Sequence, residues 1–289
     1  MDALFVLAAL GLAGGAALLW PRWRLRRALA APMDPAQVAL IRRNLPLYDA
    51  MPPELQQQLK RMVRQFLHQK TFIGCAGLEV TDEMRYTVAA HACLLLLNRP
   101  SRVYPRLTTI LMYPTEFLVP RREADAAGVI TETRQGLLGE SWGDGRVVLS
   151  WDHVQQAARA WGAAPNVVLH EFAHQLDSES GSTNGAPYLG NPQRYESWST
   201  VLSREYQRLR RDAMYGQQGV LDHYGASNPA EFFAVAVETY FTKPWQLADE
   251  HAELYAEFQE YFRVDPRAWL PEPRPAPVPE WNFAYGQWQ

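Results

Sequence analysis

Residues 167–177 read Val-Val-Leu-His-Glu-Phe-Ala-His-Gln-Leu-Asp, and they contain an H-E-x-x-H motif whose histidines are His170 and His174. On an α-helix, positions i and i+4 lie on one face about one turn apart, so the two imidazoles can bind a single metal ion. Glu171 is rotated by about 100° from His170, which places its carboxylate beside the open position of the metal, where a general base is needed. The motif therefore predicts a zinc peptidase site.

The apolar residues of the same segment support a helix. Pro165 suits a first helical turn, and apolar positions recur at helical spacing: Leu169, Phe172, Ala173 and Leu176. A three-residue motif can arise by chance in a chain of this length, but a chance match seldom falls on an amphipathic helix with a carboxylate close behind it. We therefore expect one amphipathic helix to carry both histidines.

A catalytic zinc site uses three protein ligands and leaves one position for water or substrate. The sequence has no histidine in the H-x-x-G-x-x-H arrangement after the motif, so a carboxylate is the expected third ligand. Two candidates follow, both in segments predicted to be helical: Glu196, at a separation familiar from thermolysin-like enzymes, and Glu231. Glu231 also fits a capping box that begins at Asn228. The residues alone leave this choice open.

Two segments of the chain carry a resemblance to a known family. They are His-Glu-Phe-Ala-His-Gln-Leu-Asp at 170–177 and Asn-Pro-Ala-Glu-Phe-Phe-Ala-Val at 228–235. In order and spacing, residues 45–266 resemble the Mlc titration factor A family of zinc peptidases. In that family the glutamate of the Pro-Ala-Glu triplet is the third metal ligand, so the resemblance implies Glu231.

The resemblance also implies a function. It points to aminopeptidase-like activity with one Zn2+ per chain and a peptide or protein substrate. Members of that family also bind and sequester a glucose-related transcriptional repressor. Two functions stay open: a zinc peptidase with Glu171 as general base, or a regulatory binding protein whose peptidase activity is secondary. The intact motif from His170 to His174 favours retained catalysis.

Further residues are candidates for supporting roles. Tyr224 could donate a hydrogen bond to a tetrahedral oxyanion, or it could be an ordinary packed aromatic residue. Asp177 and Glu238 could each accept a hydrogen bond from a metal-binding histidine, although a helix-end role for Asp177 and a surface role for Glu238 also fit. By analogy with other zinc peptidases, residues 147–149 are expected to form an edge strand that pairs with the substrate backbone; an ordinary strand within the sheet is the alternative.

The composition fits one catalytic domain. With 289 residues and 47% hydrophobic content, the chain can bury a sizeable core. We predict an α+β fold for residues 53–270, namely a zincin-like metallopeptidase domain with a small mixed sheet and the H-E-x-x-H helix. The net charge of −3 gives no global basic field for nucleic acid. Cys75 and Cys93 form no C-x-x-C motif and are predicted to be reduced thiols.

Hydrophobic periodicity predicts the elements around the motif. Helices are predicted over residues 54–69, 81–97, 194–215, 230–241 and 250–262. Strands are predicted over residues 78–80, 109–113 and 145–150, the last of them after a turn at 143–145. The motif helix is thus expected to lie between a sheet and a group of later helices.

Both ends of the chain differ in composition from the domain. Residues 3–20 are uncharged and long enough to span a bilayer, and four arginines follow them within residues 22–27. Because the positive charges come after the run, the pattern predicts a single-pass anchor in a bacterial inner membrane with the catalytic domain in the cytoplasm. A buried core helix is the alternative for this segment, and a soluble cytoplasmic protein is the alternative for the whole chain.

Residues 21–52 are predicted to be a linker and approach segment, and residues 271–289 are predicted to be a proline-rich tail with aromatic residues.

Overall fold

The computed structural model describes residues 32–100, 102–124, 130–137, 139–142 and 145–273, together with residues 20, 23–25, 27 and 29. Its α-helices are α1 (Pro35–Asn44), α2 (Pro53–Gln69), α3 (Asp82–Leu94), α4 (Trp151–Arg159), α5 (Val167–Asp177), α6 (Pro192–Tyr215), α7 (Pro229–Thr242), α8 (Pro244–Glu250) and α9 (Ala252–Phe262). Short 3-10 turns occur at Tyr48–Ala50, Ser178–Ser180, His223–Ala226 and Pro266–Ala268.

The strands form a small mixed sheet and a separate hairpin. They are β1 (Thr71–Gly74), β2 (Thr109–Tyr113), β3 (Phe117–Ala124), β4 (Ile130–Leu137), β5 (Gly139–Trp142) and β6 (Arg146–Ser150). The sheet has the order β1-β2-β6-β5, in which β1, β2 and β6 run parallel and β5 runs antiparallel to β6. Strands β3 and β4 pair only with each other among the described strands. The predicted α+β class and the small mixed sheet are confirmed.

The core contains aromatic side chains that fix the rotation of α5. Phe172 is fully buried, and its ring lies 4.8 Å from that of Tyr104 and 5.7 Å from that of Phe66 on α2. Burying a phenylalanine contributes roughly 1.5–3 kcal/mol relative to leaving it exposed. Since Phe172 is two residues from both His170 and His174, its packing turns the two histidines toward the opposite face of the helix.

Helix α7 packs against α5, and its residues 232–237 are all buried. A helix that is buried on every side lies inside a domain rather than on its surface. Phe233 contacts Trp198 of α6 and Phe258 of α9, with ring centroids 5.9 Å and 6.0 Å away. α7 therefore connects the motif helix with the C-terminal helices.

Most of the predicted elements are confirmed. Helices α2, α6 and α7 agree within two residues with the predictions over 54–69, 194–215 and 230–241, and strands β2 and β6 match those over 109–113 and 145–150. Helix α3 begins as predicted because the Thr81 hydroxyl accepts a hydrogen bond from the Met84 N–H at 3.3 Å. It ends at Leu94, three residues before the predicted end.

The strand predicted over residues 78–80 is wrong. The chain forms β1 earlier and then turns through Ala76 and Gly77, whose φ angles are 50° and 79°. The turn brings Leu78 back over β1, and a Cβ atom at Gly74 would lie 1.8 Å from the Leu78 carbonyl oxygen. Leu78 and Val80 are apolar because they pack on the core from a loop.

Helix α9 agrees within two residues with the helix predicted over 250–262, and a break precedes it. α8 ends at Glu250 and α9 begins at Ala252, with a non-helical residue, His251, between them (φ −138°, ψ 56°). The buried Nδ1 atom of His251 lies 2.8 Å from Oε2 of Glu205 on α6. This contact stabilises the break between the two helices. The hydrophobic pattern continues through His251, so the sequence did not reveal the break.

The described residues contain no helix that is both long enough and apolar enough to cross a membrane. The predicted anchor, residues 3–20, lies outside the described residues except for Trp20, as do residues 274–289 of the predicted tail. Both stay predictions. Within the segment predicted to be a linker, α1 packs on the domain: Ile41 is fully buried, and the Asn44 carbonyl accepts a hydrogen bond from His91 Nε2 at 2.8 Å.

Candidate metal centre

Helix α5 is positioned by an asparagine cap and an apolar face. The Asn166 side chain accepts a hydrogen bond from the Leu169 N–H at 3.1 Å and so marks the start of the helix. Pro165 lies before this cap and not in the first turn, so that prediction is wrong. The predicted apolar stripe is fully buried, at Leu169, Phe172, Ala173 and Leu176. The cap and the stripe together set the position of both histidines.

Helix α7 brings Glu231 to these histidines. Its cap is Asn228, whose Oδ1 atom accepts hydrogen bonds from the N–H groups of Ala230 and Glu231, each at 3.0 Å. Glu231 therefore lies in the first turn of α7. Its carboxylate contacts His170 and His174, so the side chain takes part in the site while its N–H group takes part in the cap.

Three side-chain atoms from α5 and α7 converge. Oε2 of Glu231 lies 3.0 Å from Nε2 of His170 and 3.4 Å from Nε2 of His174, and the ligand atoms of this group all lie within 4.8 Å of one another. Neighbouring ligand atoms of a tetrahedral zinc site with bonds near 2 Å are about 3.3 Å apart. The observed separations fit an ion of this kind.

The charge of the group also suits a metal. Burial raises the pKa of the Glu231 carboxyl, but hydrogen bonds with His170 and His174 outweigh this effect and hold the pKa well below its usual range. Metal ligands must be deprotonated, and two imidazoles with one carboxylate are the donor set of many catalytic zinc sites. The residues present therefore fit a divalent metal.

The remaining candidate carboxylates occupy different positions. Glu171 is only 5% exposed and adjoins His170 on α5. Glu196 is exposed on α6, where its backbone carbonyl accepts a hydrogen bond from the Thr200 hydroxyl at 2.9 Å. Of the two carboxylates that the sequence left open as third ligand, the structure places Glu231, and not Glu196, with the histidines.

Glu238 and Asp177 differ in how they approach the histidines. Oε2 of Glu238 lies 3.8 Å from Nδ1 of His170, and its Oε1 atom accepts a hydrogen bond from the Asn166 N–H at 2.7 Å. Burial raises the pKa of Glu238. Asp177 is fully buried, and this burial raises its pKa to about 6. Its carboxylate accepts a hydrogen bond from the Gly185 N–H at 2.7 Å. Nδ1 of His174 has no hydrogen-bond partner among the described residues.

Tyr224 lies beside the group, on the 3-10 turn His223–Ala226. Its ring centroid is 5.9 Å from that of His170, with the planes inclined by 41°, and 48% of the residue is exposed. The turn is held by Asp222, whose carboxylate accepts a hydrogen bond from the Tyr224 N–H at 2.8 Å. The aromatic ring is thus at the surface of the site rather than in the core.

Strand β6 is not an edge strand, so the prediction that residues 147–149 pair with a substrate backbone is wrong. Val148 is paired with Leu111 of β2 on one side and with Glu140 of β5 on the other. Both rows of backbone hydrogen-bonding groups are therefore used within the sheet. The strand at the end of the order is β5, which contacts α5. The apolar run of β6 reflects burial on both faces.

Gly185 joins the three helices around the site. Its N–H donates to Asp177 at the end of α5, and its carbonyl accepts a hydrogen bond from Nε1 of Trp198 on α6 at 2.9 Å. Its φ is 82°, and a Cβ atom there would lie 2.6 Å from the carbonyl oxygen of Pro229, two residues before Glu231. Only glycine lets the loop approach the start of α7 this closely.

Sequence reasoning missed the roles of Asn166 and Gly185, although both left a signal. An asparagine directly before an apolar periodic run is a common N-cap. The dipeptide Asn184-Gly185 is a turn signal. Neither signal could show that the turn would pack against α7, because that contact joins segments far apart in the chain.

The chain matches known proteins over most of its length. A sequence model of the family described as glucose-regulated metallo-peptidase M90 matches residues 20–263. An uncharacterised protein of Synechocystis sp. is 39% identical over 248 residues, which cover 86% of this chain and 90% of the relative. Proteins named Mlc titration factor A from Yersinia pestis and Yersinia pseudotuberculosis are each 32% identical over 230 residues, which cover 78% of this chain and 84% of the relative.

We expect Gly185→Ala to lower the free energy of unfolding by about 2–4 kcal/mol, because the new side chain adds a clash with Pro229 to the cost of a left-handed backbone. Gly216→Ala is the matched control: its φ of 66° is also left-handed, but nothing lies within 4 Å of the added Cβ, so a loss of about 1–2 kcal/mol is expected. Urea unfolding measures both. Equal losses would show that the contact with Pro229 relaxes without cost.

Proposed function

The chain belongs to the glucose-regulated metallopeptidase family M90, and we propose that it is a zinc-dependent peptidase whose metal ligands are His170, His174 and Glu231. The family confirms the resemblance seen in the sequence and implies a divalent metal. The observation that carries the proposal is the convergence of three side-chain atoms from α5 and α7 at separations that suit a tetrahedral ion.

The proposed chemistry assigns the proton transfers to Glu171. Zinc, when bound, acidifies a water molecule and polarises the peptide carbonyl. A carboxylate oxygen of Glu171 accepts the proton of the attacking water and delivers it to the nitrogen of the leaving amine. Glu171 suits this role because it adjoins His170 without belonging to the ligand group, and because its burial limits exchange with bulk water.

Two neighbours are proposed to support this step. Glu238 faces Nδ1 of His170 at 3.8 Å, so it favours the tautomer that leaves Nε2 available as a ligand atom. Tyr224, whose ring lies 5.9 Å from that of His170, is the proposed hydrogen-bond donor to the oxyanion of the tetrahedral intermediate. The substrate is a peptide, and we propose aminopeptidase-like cleavage because the family resemblance implies it.

A regulatory function is the second candidate, and the names of the relatives favour it. The Yersinia proteins are named as titration factors for Mlc and cover most of this chain. By the same resemblance, the partner proposed here is a transcriptional repressor, which the chain would sequester by binding. Binding of this kind does not require peptide hydrolysis, so the two functions can be separated by experiment.

We expect Glu171→Gln to bind zinc normally and to lose at least a hundredfold in hydrolysis, because the amide keeps the shape of the side chain but cannot accept the proton of water. Zinc content is measured by elemental analysis. Activity is measured on an aminoacyl anilide and on an internally quenched peptide with a blocked N-terminus, of which only the first should be cleaved. Turnover near the wild-type rate would remove Glu171 from its role.

We expect Glu231→Gln to reduce zinc well below one ion per chain, because it removes a charged ligand from the group. Glu196→Gln is the matched control, since the same substitution on an exposed position of α6 leaves the ligand atoms untouched. Zinc content after dialysis against a weak chelator measures the difference. Loss of zinc from the Glu196 variant, with retention in the Glu231 variant, would reverse the assignment.

We expect an immobilised Glu171→Gln protein to retain a purified Mlc-type repressor in stoichiometric amounts, because a binding surface outside the catalytic step is unaffected by this change. The wild-type protein serves as the comparison for cleavage, with the repressor analysed for fragments. Passage of intact repressor through both columns would contradict the regulatory function while leaving the peptidase proposal intact.

A further inference from the structure

A large cavity lies at the C-terminal end of α5, beyond His174. Its volume is about 870 Å3, and Gln175 and Ser178 contribute to its wall. Ser178 follows His174 by about one helical turn, or about 6 Å along the axis. An extended peptide advances about 3.3 Å per residue, so the separation of Ser178 from His174 along the helix corresponds to about two residues of such a peptide.

Five arginines line this cavity, and two of them already contact carboxylates. Arg99 lies 3.9 Å from Glu179, and Arg194 contacts Glu260. The guanidinium of Arg99 also packs 4.1 Å from the centre of the Tyr261 ring. Its side chain is only 7% exposed, and its Nη1 atom is buried without a hydrogen-bond partner among the described residues. Its neighbours therefore hold the Arg99 guanidinium in a fixed position at the cavity wall.

The other three arginines of the lining are Arg102, Arg106 and Arg263. All three are exposed, and within the part of the chain that the structure describes none forms an ion pair with a carboxylate. Arg106 donates a hydrogen bond to the Ser178 carbonyl at 3.0 Å, which holds its guanidinium at the end of α5. These three groups come from two separate segments of the chain and meet at one opening.

The lining therefore carries an excess of three positive charges, although the whole chain has a net charge of −3. Guanidinium groups gathered around one cavity repel one another, and the cavity concentrates their field. An anion bound among them relieves this repulsion and gains charge-assisted hydrogen bonds. The charge pattern thus favours an anionic ligand over a neutral one.

We propose that this arginine cavity binds acidic side chains of the peptide substrate, two or three residues from the bond that is cleaved. The proposal rests on the peptidase function proposed above. Carboxylates match the planar guanidinium fork, which donates two parallel hydrogen bonds. Tyr188 lies in the cavity wall and is 62% exposed. Its ring offers an apolar surface for the substrate residues between the cleaved bond and the acidic side chains. The cavity makes the enzyme selective for acidic peptides.

The test compares two peptides that differ only at the positions expected to reach the cavity, one with glutamates and the other with glutamines. The double variant Arg102→Gln with Arg263→Gln removes two exposed guanidinium groups of the cavity. The control double variant, Arg159→Gln with Arg211→Gln, removes two exposed charges that do not line it. We expect the wild type and the control to prefer the acidic peptide about tenfold in kcat/KM at low salt, and the cavity variant less than twofold.

Binding is measured in parallel by fluorescence anisotropy in the Glu171→Gln background, so the result does not depend on turnover. Preferred binding of the acidic peptide in this background, together with no hydrolysis of either peptide by the wild type, would support the cavity and contradict the proposed catalysis. Equal binding of both peptides, or the same loss in the control variant, would overturn the arginine cavity as a substrate site. Displacement of the acidic peptide by an equal concentration of free succinate would overturn it in favour of a small dianion.

Discussion

The contact between α5 and α7 is the constraint that the rest of the structure has to satisfy. A ligand group functions only if its atoms are held to within a few tenths of an ångström, and here two of those atoms belong to residues 61 positions apart in the chain. Burial of Phe172 on one helix and of residues 232–237 on the other supplies the rigidity. Two imidazoles and a carboxylate can remain in such surroundings because they contact one another.

Polar residues at the starts of α5 and α7 help to position the contact between these two helices. Asn166 and Asn228 cap α5 and α7, and each cap lies within four residues of a candidate ligand. Glu238 connects the two helices directly, because one of its carboxylate oxygens accepts from the Asn166 N–H and the other faces His170. A single side chain of α7 thus bonds to the start of α5 and lies close to one of its histidines.

Much of this arrangement could be predicted from the sequence, because it is local. The helical spacing of His170 and His174, the apolar stripe between them and the cap at Asn228 all lie within one element. Glu231 could be separated from Glu196 only by family resemblance, since both are glutamates in helical segments.

The features that were missed depend on pairing between distant segments. The neighbours of β6 and the break at His251 are of this kind, as is the turn after Gly74 that replaces a predicted strand. The arginines around the cavity form no recognisable sequence motif, because they come from separate stretches of the chain.

The contact between His170 and Glu231 also has a consequence for the folding equilibrium. It closes a loop of some sixty residues, which contains the whole of α6. Closing such a loop in the unfolded chain is entropically costly, so a metal ion shared by the two helices would act as a reversible cross-link, in the way that a disulfide does. Ligand binding to the native state shifts the balance between folded and unfolded chains by mass action. In a cell that is short of the metal, this protein would then be lost by proteolysis of its unfolded fraction as well as by inactivity.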